Sequence, residues 1–443
     1  MIPARLALRS TLALMMCCLI CTQALGQARA PRVAATLTAA EQDAALKTIV
    51  TAFESQYVFP EMRPRIIERL NSAQRSGRYA VDDPVAFAER ITEDLRDVSR
   101  DKHLSLVVDP LGYAAALAPA NSEDGEQALW RRQAIRNHHG LAEMKNLGGN
   151  IRYLRISGFH WVNDETGFAY DGAMRFLKDG DAAIIDIRSN GGGSSQAVRY
   201  LLSHFMPGGV LQITFLQGSE TPDQSRTLDH LPAGRLQGMP LYVLIDGGVA
   251  SAAESFAYDV QQFKLGELVG SKTVGAANNN RLLPVAPHFI LSISFGHPVH
   301  AVSNTNWEGV GVAPTVEAPP SQALEIAQSL ALKRLSEKPD ATAEDLAAYA
   351  WAKVGVEARL HPVTFTPARL KSLAGRYGNA EVDFRDGILW LARPNRQTAR
   401  LSPLTADGLF AIDGVDSLRV RLTGRAMELL RADEPAPRVF PRG

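Results

Sequence analysis

The stretch Leu241-Tyr-Val-Leu-Ile-Asp-Gly-Gly-Val-Ala-Ser251-Ala-Ala-Glu254 decides the fold. Leu241–Asp246 is an apolar run with the length of a buried strand. Gly247 and Gly248 interrupt it, and Ala253, Phe256, Ala257 and Val260 then recur at helical spacing. Upstream, Ala182–Arg188 (AAIIDIR) follows the same plan. It meets Gly191–Gly193 and then Val198, Leu201, Leu202 and Phe205. Ile151–Ile156 reads as a further strand. Strand, glycine turn and helix in repetition predict an α/β core whose ligand-facing loops lie at the strand C-termini.

The flanks read differently. Thr38-Ala-Ala-Glu41 is a capping-box pattern ahead of Leu46, Ile49, Val50 and Phe53. Ile66, Ile67 and Leu70 mark a second helix, and Asp83-Pro84 opens a third through Phe87, Ile91, Leu95 and Val98. Residues 119–150 read as a connection with helical pieces. After Pro319-Pro320 come an alanine-rich helix to about Lys338 and a second helical stretch, Glu344–Val354. Leu373–Tyr377, Ile388–Leu391 and Leu418–Leu422, with a tight turn at Asp386-Gly387, predict short strands. The expected division is therefore a leader over 1–26, an N-terminal helical region over 31–102, the α/β core over 103–320, a helical linker over 321–364 and a small β domain over 365–443.

The leader carries Arg5 and Arg9 ahead of an apolar Leu12–Ile20, too short to span a bilayer, and small residues follow. This predicts a cleaved signal peptide and export to a periplasmic or extracellular space, with an uncleaved membrane anchor as the competing reading. All three cysteines (Cys17, Cys18, Cys21) lie within it. The mature chain would then have no disulfide, cysteine metal site or catalytic thiol. With 443 residues, 46% hydrophobic and 21% charged, the chain can bury a sizeable core. Its 47 basic residues balance 47 acidic ones, which argues against a nucleic-acid partner held by a broad basic face.

Ser251 sits where a buried strand turns into a helix, flanked by small residues. Helix N-terminal N–H groups there carry partial positive charge and suit an oxyanion. The competing reading is a plain cap, because Ser251-Ala-Ala-Glu254 also has capping-box spacing. Asp186-Ile-Arg188-Ser-Asn190-Gly191-Gly192-Gly193 is the second candidate loop. Its exposed N–H groups could hold a peptide strand or a developing negative charge, with Gly191, Gly192 and Arg188 as substrate contacts. A serine nucleophile needs a base, and ten histidines are available. The zincin HExxH motif is absent, and His297-Pro-Val-His300 lacks a third ligand at metal spacing. Neither metal nor organic cofactor is expected. Ser99-Arg-Asp-Lys102 matches S-x-x-K without that motif's companions, which makes it a chance match.

Five segments taken together resemble the C-terminal processing (tail-specific) serine peptidases. The likeness is closer to the branch containing interphotoreceptor retinoid-binding protein and the tricorn protease core. They are Tyr57-Val-Phe-Pro60 with Asp101-Lys-His103-Leu, then Asp186–Gly193, Ala250-Ser251-Ala-Ala-Glu254, Gly270-Ser-Lys-Thr-Val-Gly275 and Trp307-Glu308-Gly-Val-Gly-Val-Ala-Pro314. The resemblance implies a crotonase/ClpP-like α/β core and a polypeptide substrate. It implies Ser251 as nucleophile and the backbone N–H groups of Gly193 and Ala252 as the oxyanion hole. Where many relatives carry a lysine base after the Gly-x-x-Thr element, this chain has Ala276, so the resemblance points to His103 and Glu308 instead. The spacing between His103 and Ile151 leaves no room for a PDZ-like insertion. Two rivals use the same scaffold: a non-catalytic carrier of apolar ligands or peptides, and an esterase or amidase built on the same serine.

Overall fold

The computed structural model describes residues 36–119, 122–217 and 221–443. The expected leader, residues 1–26, lies outside the described residues. Among those described, no helix is long and apolar enough to cross a membrane.

Six strands form the central sheet in the order Val316–Glu317, Glu267–Gly270, Leu241–Ile245, Ala182–Asp186, Ile151–Ile156 and Leu141–Leu147. Neighbours run parallel except the last pair. All five residues of Ala182–Asp186 and all five of Leu241–Ile245 are buried, which is why their sequences are apolar without alternation. Helices Asn163–Lys178, Ser195–Ser203 and Ala252–Gln262 cover one face, in a core that includes Met174, Leu201 and Phe256. Helices Ala323–Ser336 and Ala343–Leu360 cover the other, where Ala323, Ala327 and Ala331 pack near Ile184, Tyr242 and Leu244. Residues 321–364 are thus an outer layer of the core and not a linker. Their small alanines let the helix lie close to the sheet.

The α/β core and the N-terminal helical region follow the sequence expectation. Helix Ala39–Gln56 starts at Thr38, whose hydroxyl and Glu41 form the reciprocal capping box. Helices Arg63–Arg75 and Pro84–Ser99 follow, the latter capped by Asp83. These helices are not a free-standing unit. Phe53, Phe87 and Leu95 share a core with Phe289, Leu291 and Ile293 of a second, antiparallel sheet. That sheet pairs Phe289–His300 with Ser105–Val108, Asn279–Val285 and Leu211–Leu216. Packing against the helices, it brings residues 101–105 up against the loop 273–280. The stretch 119–150 contains the helix Glu126–Arg136 but also the strand Leu141–Leu147, which the sequence reading missed.

At the C-terminus eight strands run in sequence order, each antiparallel to the next, from Gly375–Tyr377 to Glu434–Pro441. The first and last meet through the Tyr377–Arg442 bridge and the Gly443 N–H to Arg376 carbonyl bond of 3.0 Å, so the sheet closes on itself. Its interior is filled by residues such as Tyr377, Leu391, Phe410 and Leu422. Leu373, expected at the start of a strand, instead ends the short helix Pro367–Leu373.

Candidate active site

Ser251 immediately precedes helix Ala252–Gln262, at the C-terminal end of strand Leu241–Ile245. Its backbone has φ 55° and ψ −123°, a conformation a residue with a Cβ seldom adopts. The turn is held from both sides. Glu254 accepts the Ser251 N–H at 3.0 Å, while the reciprocal contact from the Glu254 N–H to the serine hydroxyl is a loose one. The Asn190 carbonyl accepts the Ala250 N–H at 3.0 Å.

Glu254 does far more than cap. Fully buried, it also accepts Thr273 Oγ1 at 2.5 Å and the N–H groups of Gly275 and Ala276 at 2.5 and 2.8 Å. Burial raises its pKa, and these four donors oppose the rise. One carboxylate therefore locks the serine turn to the loop on the far side of the cleft. Ala276, at the position where the sequence resemblance looks for a lysine, is buried and spends its N–H on Glu254.

The Gly191–Gly193 loop lies against this turn. Asn190, fully buried, accepts the Gly192 N–H at 2.9 Å and donates to the Ile156 carbonyl at 3.0 Å. Gly193 has φ 131°, and a Cβ there would stand 2.1 Å from the Phe159 carbonyl oxygen, so only glycine fits. The contact with Phe159 uses the Gly192 carbonyl and the Ser194 N–H, leaving the Gly193 N–H on the opposite side of the strand. Ala252 is the first helical residue, so its N–H has no acceptor within the helix.

Two cavities meet at Ser251, sharing Gly193, Ser194 and Asn280 in their walls. The smaller, about 340 Å³, has Ala252, Asn278 and Trp307 among its lining residues. The larger, about 770 Å³, contains His103, Gly191 and Gly192 together with Trp130, Phe159 and Trp161. Arg188 lines neither. Its guanidinium is spent on Asp186, with Nε to Oδ1 at 2.9 Å and Nη2 to Oδ2 at 2.5 Å, and on the Pro320 carbonyl. Burial pushes the Asp186 carboxyl up, but the Arg188 hydrogen bonds outweigh it and hold the pKa below the usual value. Its expected role as a substrate contact is thus corrected. Arg188 joins the strand end to the Pro319-Pro320 turn.

His103 stands beside two carboxylates. Asp101, His103 and Glu308 each offer a ligand-type atom, all within 4.8 Å of one another. Asp101 is buried and accepts the His103 N–H at 2.9 Å, Asn278 Nδ2 at 3.1 Å and the Tyr57 hydroxyl at 3.4 Å. Glu308 Oε2 accepts the N–H groups of Ala277 and Asn278 at 2.5 and 3.0 Å. Glu308 Oε1 and both ring nitrogens of His103 are buried without a hydrogen-bond partner. His103 and Ser251 therefore face one cavity without a direct hydrogen bond. Burial pushes Glu308 up to about 7, with Asp101 adding to the rise, and lowers His103 against the pull of Asp101. This trio is the group with metal-ligand chemistry among the described residues. Most of its carboxylate oxygens are already accepting from neighbours.

The other histidine candidates are committed elsewhere. His300 pairs with buried Asp259 at 3.1 Å, and His297 stacks on Phe59. Ser99 of the Ser99–Lys102 match donates to the Leu95 carbonyl within its helix. Lys102, however, lines the larger cavity and donates to the Val274 carbonyl. Sequence reasoning passed over Lys102, and assigned no role to Asp101 or Asn190.

A strained serine at a helix N-terminus, with a glycine loop packed against it at the strand ends of a parallel sheet, is the arrangement of a serine hydrolase site. Residues 150–318 match the family model described as Peptidase family S41, and residues 23–133 match the N-terminal domain of Peptidase_S41 in eukaryotic IRBP. Over these two segments the chain is similar to peptidase family S41, a family of serine peptidases. It is 28% identical over 180 residues to the carboxy-terminal processing protease CtpB of Bacillus subtilis (strain 168), a match covering 40% of this chain and 35% of that protein. A "Probable CtpA-like serine protease" of Staphylococcus aureus (strain N315) is 27% identical over 128 residues, covering 29% and 25% respectively. The matched segments thus span about a third or less of these relatives' lengths. Among solved structures, a lipoprotein from Streptococcus agalactiae aligns with a TM-score of 0.46 at 15% identity, over 67% of this chain and 98% of the other.

Proposed function

We propose that this chain is an exported serine peptidase that hydrolyses peptide bonds of polypeptide substrates through Ser251, His103 and Glu308. The observation that carries the reading is the backbone of Ser251, held at φ 55° and ψ −123° on the wall of a cavity that also contains His103. Strain of this kind costs about 1–3 kcal/mol and persists where the surrounding structure enforces it, commonly at functional sites.

In this mechanism His103 takes the serine proton as Ser251 attacks the carbonyl carbon, and returns it to the departing amine. The Gly193 and Ala252 N–H groups receive the negative charge that develops on the carbonyl oxygen. Glu308 Oε1, buried and unpartnered, is available to the imidazolium as the carboxylate of a triad is. Binding of substrate then brings serine and imidazole into hydrogen-bond contact, as catalytic hydrogen bonds often tighten only in the complex. Export rests on the basic, then apolar, then small-residue pattern of residues 1–26.

The test is hydrolysis of an unfolded polypeptide such as casein by the purified protein. Wild type should cleave it and Ser251→Ala should not. A folded wild-type protein that leaves casein intact but binds retinoid-like ligands would favour the carrier.

A further inference from the structure

The two cavities that meet at Ser251 differ in charge and in which catalytic group they contain. Neither contains a carboxylate among its lining residues. The smaller holds no ionisable side chain at all, its polar surface coming from hydroxyls and amides such as Ser255, Gln196 and Asn279. The larger has one ammonium, Lys102, beside the imidazoles of His103 and His160, whose pKa values burial lowers, all set among aromatic walls. Asp101 and Glu308, the nearby acids, sit behind His103 and are outside the lining. Lys102 is exposed and donates to the Val274 carbonyl, which leaves further N–H donors of the ammonium for a ligand.

The reaction itself assigns direction to this asymmetry. The base that takes the serine proton must return it to the leaving nitrogen, so it stands on the leaving-group side of the scissile bond. His103 lines only the larger cavity. The smaller cavity, with Ala252 of the oxyanion hole in its wall, then takes the acyl side. We propose that the larger cavity receives the leaving-group side of the substrate and that Lys102 selects there for a carboxylate, either an acidic side chain or the free end of the chain. Trp130, Phe159 and Trp161 supply apolar surface around that charge. The inference rests on the peptidase reading for its direction, and on the cavity lining alone for its charge preference.

The experiment uses the Ser251→Ala protein, which cannot turn over, and four labelled peptides differing at one place. They carry Glu, Gln or Lys C-terminal to the candidate bond, or Gln with a free rather than amidated C-terminus. Binding is read by fluorescence anisotropy. Since hydrogen bonds to charged groups contribute more than neutral ones, the Glu or free-carboxylate peptide should bind about tenfold tighter than neutral amidated Gln. Adding Lys102→Glu should reverse the order, and adding Lys102→Arg should keep it, which separates charge from damage to the Val274 contact. Comparing Glu with the free-terminus peptide distinguishes the two carboxylate sources. Equal binding of all four, or an order unchanged by Lys102→Glu, overturns the proposal. In wild type, mass spectrometry of the products should place the cut on the N-terminal side of Glu, and a cut on its C-terminal side contradicts the assigned direction. Carboxylate-selective binding without any cleavage would leave the Lys102 site standing and remove the peptidase reading.

Discussion

Gly192 lies so close beneath Ser251 that a Cβ at Gly192 would stand 2.8 Å from the serine's own Cβ, and 2.8 Å from the Ala250 carbonyl oxygen. With φ 104° as well, Gly192 allows the serine turn and the glycine loop to share one small volume. The Ala252 nitrogen would stand 2.9 Å away, and it and the Ala250 oxygen are backbone atoms, which cannot swing aside. Gly192→Ala should therefore push the serine turn out of place and lower kcat/KM at least about 100-fold, the scale of loss expected from an ångström of misplacement. Gly191 has no heavy atom within 4 Å of its would-be Cβ, so Gly191→Ala should unfold at the wild-type temperature. Steady-state kinetics and thermal unfolding of the two variants check the contrast. Equal behaviour would deny the close approach its role.

Strain at Ser251 makes a second prediction. Alanine there loses the hydroxyl but keeps the unfavourable φ of 55°, whereas glycine adopts it freely. Both variants should be inactive. Ser251→Gly should unfold at a higher temperature than Ser251→Ala, by an amount reflecting up to about 1–2 kcal/mol after glycine's greater unfolded-chain entropy is subtracted. A lower unfolding temperature for the glycine variant would mean that the turn is relaxed.

The pH profile separates the two titrating groups behind the serine. His103 must be neutral to act as base, and burial holds its pKa below the ordinary imidazole value. Glu308 is pushed up to about 7, so it protonates first as pH falls and loses its attraction for the imidazolium. The acid limb of kcat/KM should therefore fall in two steps. A partial loss is centred near 7 and a complete one lies below the free-imidazole value, both belonging to the coupled pair. Glu308→Gln should lower the plateau and abolish the upper step. A single limb unaltered by Glu308→Gln would detach Glu308 from the reaction.

Much of the core was legible because its strands are buried on both faces. Ala182–Asp186 and Leu241–Ile245 could be read as apolar runs punctuated by glycine, and Thr38 and Asp83 announced their helices by local capping chemistry. What escaped depended on distant partners. Leu141–Leu147 carries Glu143, Lys145 and Asn146 because it is an edge strand, so its apolar signal is weak. The alanines at 323, 327 and 331 predict a helix but not the sheet beneath it. Closure of the C-terminal barrel rests on a Tyr377–Arg442 pairing that no local pattern encodes. At the site, Glu254 has the spacing of a cap and only the fold brings Thr273, Gly275 and Ala276 to it. Arg188 misled for the converse reason. Its neighbour Asp186, two residues back at the end of the strand, claims the guanidinium before a substrate can.

The most direct test of the central claim is covalent labelling by a fluorophosphonate, with the adduct located by peptide mass spectrometry. The account predicts one adduct on the peptide that carries Ser251, absent in Ser251→Ala and formed about 10³-fold more slowly in His103→Ala, as when the base of a triad is removed. An adduct on another residue, or labelling of Ser251 at an undiminished rate without His103, would contradict it.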